Sequence, residues 1–398
     1  AAGESKPEAY PLGYVEDFGE PRTMLADFFS ILLRTRSGMA DMVAEQIAAL
    51  KDEDWAIREE AATMLGTLRD PRAVVPLVSV LRDGDRAVRD AAIGALLAIG
   101  EPAMTTLGAC LSDPMLTVQE LASSVLATIA DARMLAPLVK ALASPDWIVR
   151  MHAAKALGRI KDSGAVAPLV PLLQDSVKAV REETSTALAA MGEAALSSLL
   201  VALTHAEWLV RLHAVEALGK TRSPEAVAPL LSVLFNDRDR AVREDAVRAL
   251  GQIGDARAVE FLVTAMKEPG LRPLAVEALG QIGDRRAVPV LINVLEGLDR
   301  PEVSRPIDGC GDHWDEEILT LGAAVRALGA IRDETSIPSL MKALRHTVTR
   351  AEAADALTRF GSAVIAPLLA VLARESDDNI RYHVKDTLAK VGWRAGRI

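Results

Sequence analysis

Two histidines and two acids recur at one register of this 398-residue chain: His152, Glu183, His213 and Asp245 each stand two residues after an arginine in a repeating motif. Imidazoles alternating with carboxylates could ligate a metal, relay protons or offer hydrogen bonds to a partner. Spacing selects among these. If each residue sits on its own helix, neighbours lie about 8–10 Å apart, too far to share one metal at bond lengths of about 2.1 Å. The row therefore reads as a polar stripe that touches a partner, extended by Lys155, Arg159, Glu216, Lys220, Arg248 and Gln252. A second concentration of chemistry is Cys310, Asp312, His313 and Trp314. One Cys-x-x-His pair is half of a zinc site, and the complementary half is not visible; a partner-contacting or groove-capping loop is expected instead. Trp55, Trp147 and Trp208 share a third column, three residues before the arginine. An indole there supplies stacking area and one donor, or else covers its own turn against Met151 or Leu212. No metal, cofactor or catalytic residue is expected from these patterns, and no Ser/His/Asp nucleophile has a local signature.

The elements that must position these residues are legible from the motif itself. AIREEAATMLGTL at 56, IVRMHAAKALGRI at 148, LVRLHAVEALGKT at 209, AVREDAVRALGQI at 241 and NIRYHVKDTLAKV at 379 recur about every 31 residues. A period of this size marks stacked supersecondary units that cover one another's apolar faces. The anchors run Arg58, Arg89, Gln119, Arg150, Arg181, Arg211, Arg243, Arg272, Leu321, Arg350 and Arg381, with one long step from 272 to 321 where an insertion sits. Each unit reads as two helices. In residues 131–161 the second is DWIVRMHAAKALGRI, whose Val149, Ala153, Leu157 and Ile160 follow the spacing of a buried helical stripe. Asp54, Asp85, Asp146 and Asp239 stand where a side chain caps the second helix, and Ala or Gly at the third, sixth and eighth positions after the anchor permits close helix approach. The anchor arginines are expected to form a structural ladder, bonding turn aspartates or carbonyls of neighbouring repeats.

The expected fold is all-α: a right-handed α-solenoid of about eleven helix pairs with an N-terminal capping helix. Residues 1–38 are read as an extended segment plus the amphipathic capping helix at 20–36, residues 39–393 as the solenoid with an inserted loop at about 297–316, and 394–398 as a tail. These repeats resemble the HEAT-like repeats of the phycobilin lyase family and of deoxyhypusine hydroxylase over roughly residues 40–393. The hydroxylase uses adjacent His-Glu pairs, and this sequence has none.

Composition narrows the function classes. The chain is 50% hydrophobic and 4% aromatic, which suits an Ala/Leu/Val core of closely packed helices. A net charge of −10 has the wrong sign for affinity built on phosphate neutralisation, so no nucleic-acid partner is expected. Two cysteines, Cys110 and Cys310, exclude a disulfide framework and lean toward the cytoplasm, while a processed periplasmic form stays compatible with a start lacking Met. No apolar run is long enough to span a bilayer. The expected function is a non-catalytic scaffold or assembly factor that grips a protein or peptide in its concave groove through Trp55, Trp147, His152, Glu183, Trp208, His213, Asp245, Asp312, His313 and Trp314. The resemblance implies an alternative, a bilin lyase or isomerase holding a linear tetrapyrrole; a DNA-repair glycosylase would need a basic groove.

Overall fold

The structure, a computed structural model, describes residues 36–299 and 312–394. All regular structure among the described residues is helical. Its contacts gather into two compact units, one ending at Leu107 and the other starting at Gly108. The first contains α1 (Arg36–Ala49), α2 (Trp55–Leu68), α3 (Val74–Val80) and α4 (Arg86–Ile99), followed by α5 (Met104–Cys110). The second continues through α6 (Leu116–Ile129), α7 (Leu135–Ala141), α8 (Trp147–Ile160), α9 (Val166–Leu169), α10 (Lys178–Ala190), α11 (Glu193–Ala202), α12 (Trp208–Thr221), α13 (Val227–Asn236) and α14 (Arg240–Ile253). It closes with α15 (Val259–Ala265), α16 (Arg272–Ile282), α17 (Val288–Leu295), α18 (Asp312–Ile331), α19 (Ile337–Ala343), α20 (Arg350–Thr358), α21 (Ile365–Arg374) and α22 (Asp378–Lys390). The chain is an α-solenoid of helix pairs: in the second unit, the even-numbered second helices from α6 to α22 pack on one another in chain order. Residues 20–35 of the expected capping helix, most of the insertion and the last four residues lie outside the described residues.

Local chemistry explains the boundaries. The side chains of Asp54, Asp85 and Asp146 each accept the amide N–H two residues on, at 2.9, 2.8 and 2.6 Å, and so start α2, α4 and α8. Asp239 departs from that expectation: it stands at the cap of α14 but caps nothing, because its carboxylate is drawn to Arg211. Second helices end on a left-handed residue such as Arg69, Lys161 or Gly254, after which Asp70, Asp162 or Asp255 opens a 3-10 turn into the next first helix.

The buried stripe is as the spacing demands: Val149, Ala153 and Leu157 are fully buried, and Ile160 is half-buried. The recurring Leu-Gly has a steric cause. A Cβ on Gly66 would lie 2.8 Å from the Cα of Ala95, and one on Gly158 would lie 2.6 Å from that of Ala187. The same glycine-on-alanine contact recurs at Gly219 with Ala249, Gly251 with Ala278, Gly280 with Ala327 and Gly329 with Ala356. Adjacent second helices thus approach backbone to backbone, one methyl closer than any other residue allows.

The arginine ladder bridges one repeat to the next at Arg58, Arg150, Arg211 and Arg243, whereas among the described residues Arg89 and Arg350 bond only carbonyls of their own turns. Arg150 donates through Nη1 to the carbonyls of Ser144 and Pro145 in its own turn, at 2.9 and 3.0 Å, and through Nε and Nη2 to both oxygens of Asp175 in the following turn, at 2.7 and 2.9 Å. Arg58 repeats this with Asp83, and Arg211 with Asp237; Arg243 reaches Glu268. Burial works against the charge of Asp175, yet the Arg150 guanidinium holds its carboxyl below the usual range. Where the anchor is Gln119, the matching turn residue is Ser144, and the two meet as a neutral pair at 3.4 Å.

Candidate functional site

In α8, α10, α12 and α14 the anchor arginine faces the turns, and the positions three before it and one, two, five and nine after it form the outer stripe. Trp147 and Trp208 are the first residues of α8 and α12 and stay 41% and 42% exposed. Met151 and Leu212, one turn later, are half-buried. On α10 and α14 the same two positions carry ion pairs instead: Lys178 Nζ to Glu182 Oε1 at 3.3 Å, and Arg240 Nε to Glu244 Oε1 at 2.7 Å. Apolar and ion-paired rungs therefore alternate over these four helices, whereas on α6 the same positions hold Leu116 and Glu120. Sequence reading picked out the tryptophans but not these pairs, although opposite charges four apart on a helix were the signal.

The polar column two after the anchor is less uniform than its spacing suggests. His152 is half-buried, and its Nδ1 lies 3.0 Å from the Ser123 hydroxyl. That hydroxyl donates to the Glu120 carbonyl at 2.8 Å, so Nδ1 carries the proton. Burial, then the nearby Lys155 charge, push the imidazole pKa down and favour the neutral ring. Glu183 is half-buried, and neither it nor Lys155 has an ion pair among the described residues. Asp245 is half-buried and paired with Arg248; burial nevertheless raises its carboxyl above the ordinary value.

His213 corrects the sequence reading. It is only 5% exposed, and both ring nitrogens are engaged: Nε2 accepts from Arg181 Nε at 3.2 Å, while Nδ1 donates to Glu216 Oε2 at 2.9 Å. The cause lies in the ladder. His205 stands six residues before its anchor, where Asp83, Asp175 and Asp237 stand before theirs, and like them accepts the amide two residues on, here Glu207 N–H at 3.1 Å. It offers Arg181 no carboxylate, and the guanidinium turns to His213 instead. Glu216 joins this network with Lys220 at 2.8 Å, and Lys220 reaches Thr186 at 2.9 Å. Burial would raise the Glu216 carboxyl, but hydrogen bonds from His213 and Lys220 bring it down to about 2.

The first two turns of this face are acidic. Glu120, Asp146, Glu182, Glu183, Glu207, Glu244 and Asp245 outnumber Lys178 and Arg240, with Lys155, Glu216 and Arg248 in the turn beyond, and Glu120 is pushed up by burial and by the charge and hydrogen bond of Asp146. Trp55, in the first unit, opens α2 and is 49% exposed. Asp312, His313 and Trp314 begin the 20-residue α18, so this part of the insertion is helix rather than loop, and their side chains lie outside the described residues. Among the described residues, no three His, Cys, Asp or Glu side chains gather to hold a metal ion, and no single helix is long and apolar enough to cross a membrane.

Comparisons with known proteins identify the repeats. The chain matches the family of HEAT repeats over residues 43–127, 104–189, 174–235, 194–272, 227–305 and 313–389. It is 29% identical over 251 residues to deoxyhypusine hydroxylase-B of Oryza sativa subsp. japonica, covering 62% of this chain and 82% of that protein. It is 28% identical over 207 residues to phycocyanobilin lyase subunit alpha of Nostoc sp., covering 47% and 70%. Among solved structures, yeast importin-beta (Kap95p) superposes with a TM-score of 0.58 at 15% identity, over 88% of this chain and 57% of that one. This last likeness shows the fold alone.

Proposed function

The chain belongs to the HEAT-repeat family, and from that premise we propose that it is a non-catalytic scaffold that holds a protein or peptide segment against the second-helix face around Trp147 and Trp208. The observation that carries this reading is the pair of indoles, each more than two-fifths exposed at the same register of α8 and α12. Large apolar side chains left in water at equivalent points of a regular array act as contact anchors, and tryptophan is prominent among residues that dominate interface energies. His152, Glu183 and Asp245 surround them as polar contacts, whereas His213 belongs to the scaffold. The acidity of the face speaks against nucleic acid. The test is Trp147→Ala combined with Trp208→Ala: client capture from native lysate should fall while helicity and the unfolding midpoint stay unchanged. Undiminished capture would overturn the reading.

Similarity to the Nostoc lyase subunit supports a second reading, a role in handling a linear tetrapyrrole. Co-expression with phycocyanobilin separates the two, because a coloured purified chain is required by the second and not by the first.

A further inference from the structure

Resting on the peptide-binding reading, we infer that this face takes a basic polyproline II segment, with bulky apolar or proline side chains at i and i+6 over Trp147 and Trp208 and Arg or Lys at i+3 over α10. Adjacent packed helices stand about 8–10 Å apart. A polyproline II chain repeats the same face every three residues, about 9.3 Å at a rise of about 3.1 Å, so its successive same-face side chains fall in step with successive second helices. A β-strand repeats its face every two residues, about 6.6–6.8 Å, and slips out of register by the second helix.

The face alternates to match. Trp147 with Met151 on α8, and Trp208 with Leu212 on α12, offer apolar rungs two helices apart, and aromatic-lined grooves suit the rigid, low-entropy polyproline II backbone. Between them α10 presents the Lys178–Glu182 pair and, beside it, Glu183 without an ion-pair partner among the described residues. The rung between the tryptophans thus carries one carboxylate in excess, and Glu120, Asp146 and Glu207 add negative charge at the flanking helix starts. A cation at i+3 complements that excess. An acidic segment would be repelled.

The experiment uses the full chain and synthetic proline-rich 13-residue peptides with Phe at i and i+6 and Arg at i+3, titrated by calorimetry and tryptophan fluorescence. The matched peptide should bind at least tenfold more tightly than peptides with Phe at i and i+5 or i and i+7, and than one with Glu at i+3. Trp147→Ala should abolish this dependence on spacing. Glu183→Lys should reverse the preference at i+3, a gain that a misfolded variant could not give. Equal affinity across spacings, or no binding of any peptide, overturns the inference. In either case, lysate capture that still depends on the two tryptophans leaves the scaffold reading standing, whereas capture insensitive to them removes both.

Discussion

The anchor arginine illustrates how one side chain serves two repeats at once. Arg150 is planar and forked, so it can satisfy two carbonyls of its own turn while holding both oxygens of Asp175. Replacing it alone leaves a poorly solvated carboxylate; we expect Arg150→Gln to cost about 2–3 kcal/mol in urea unfolding. The neutral rung at Gln119 and Ser144 shows how the loss is compensated. Adding Asp175→Ser to Arg150→Gln should therefore recover part of that stability. Glu216 makes a pH prediction. Its folded value, about 2, lies below the ordinary 4.5, so its stabilisation is complete above the unfolded value and is lost as pH falls through that window. Urea midpoints measured at pH 7, 4 and 3 should decline more steeply for the parent chain than for Glu216→Gln, which should also be the less stable at pH 7.

At the scale of helices, the seam between neighbouring second helices is set by small residues and not by side-chain interlocking. A methyl at Gly158 would meet the backbone of Ala187, which cannot move without displacing α10. Gly158→Ala is expected to cost about 1–3 kcal/mol through overpacking, although in an isolated helix the same change would be favourable. Gly94 is the control. It lies mid-helix in α4, is exposed, and a Cβ there meets nothing within 4 Å. Gly94→Ala should stabilise by about 0.5–1 kcal/mol, and thermal melts of the two variants should shift in opposite directions.

Across the molecule, stability in a repeat array is close to a sum of unit and nearest-neighbour terms, so the weakest seam governs local opening. The α10–α12 seam differs from its neighbours in two ways: its rung lacks a carboxylate at His205, and Ala189 replaces the glycine found at 158 and 219. His205→Asp should give Arg181 the missing partner and add about 1 kcal/mol. Hydrogen exchange would read this as slower exchange confined to α10 and α12, with α20 and α22 unchanged. A uniform change along the chain would contradict nearest-neighbour coupling.

Helix pairing, the buried stripe, the caps at Asp54, Asp85 and Asp146, and the family all follow from local pattern, because periodicity and capping act over a few residues. The ladder was legible in outline too, since a repeated charge at fixed register must answer a repeated demand. Register could say that His152 and His213 share a column. It could not say that Arg181, deprived of a carboxylate by His205, would bend toward His213 and bury it, nor that Asp239 would leave its cap for Arg211. Those outcomes depend on which acceptor lies nearest across a seam some 25 to 32 residues away in the chain, a distance that only the packed helices close.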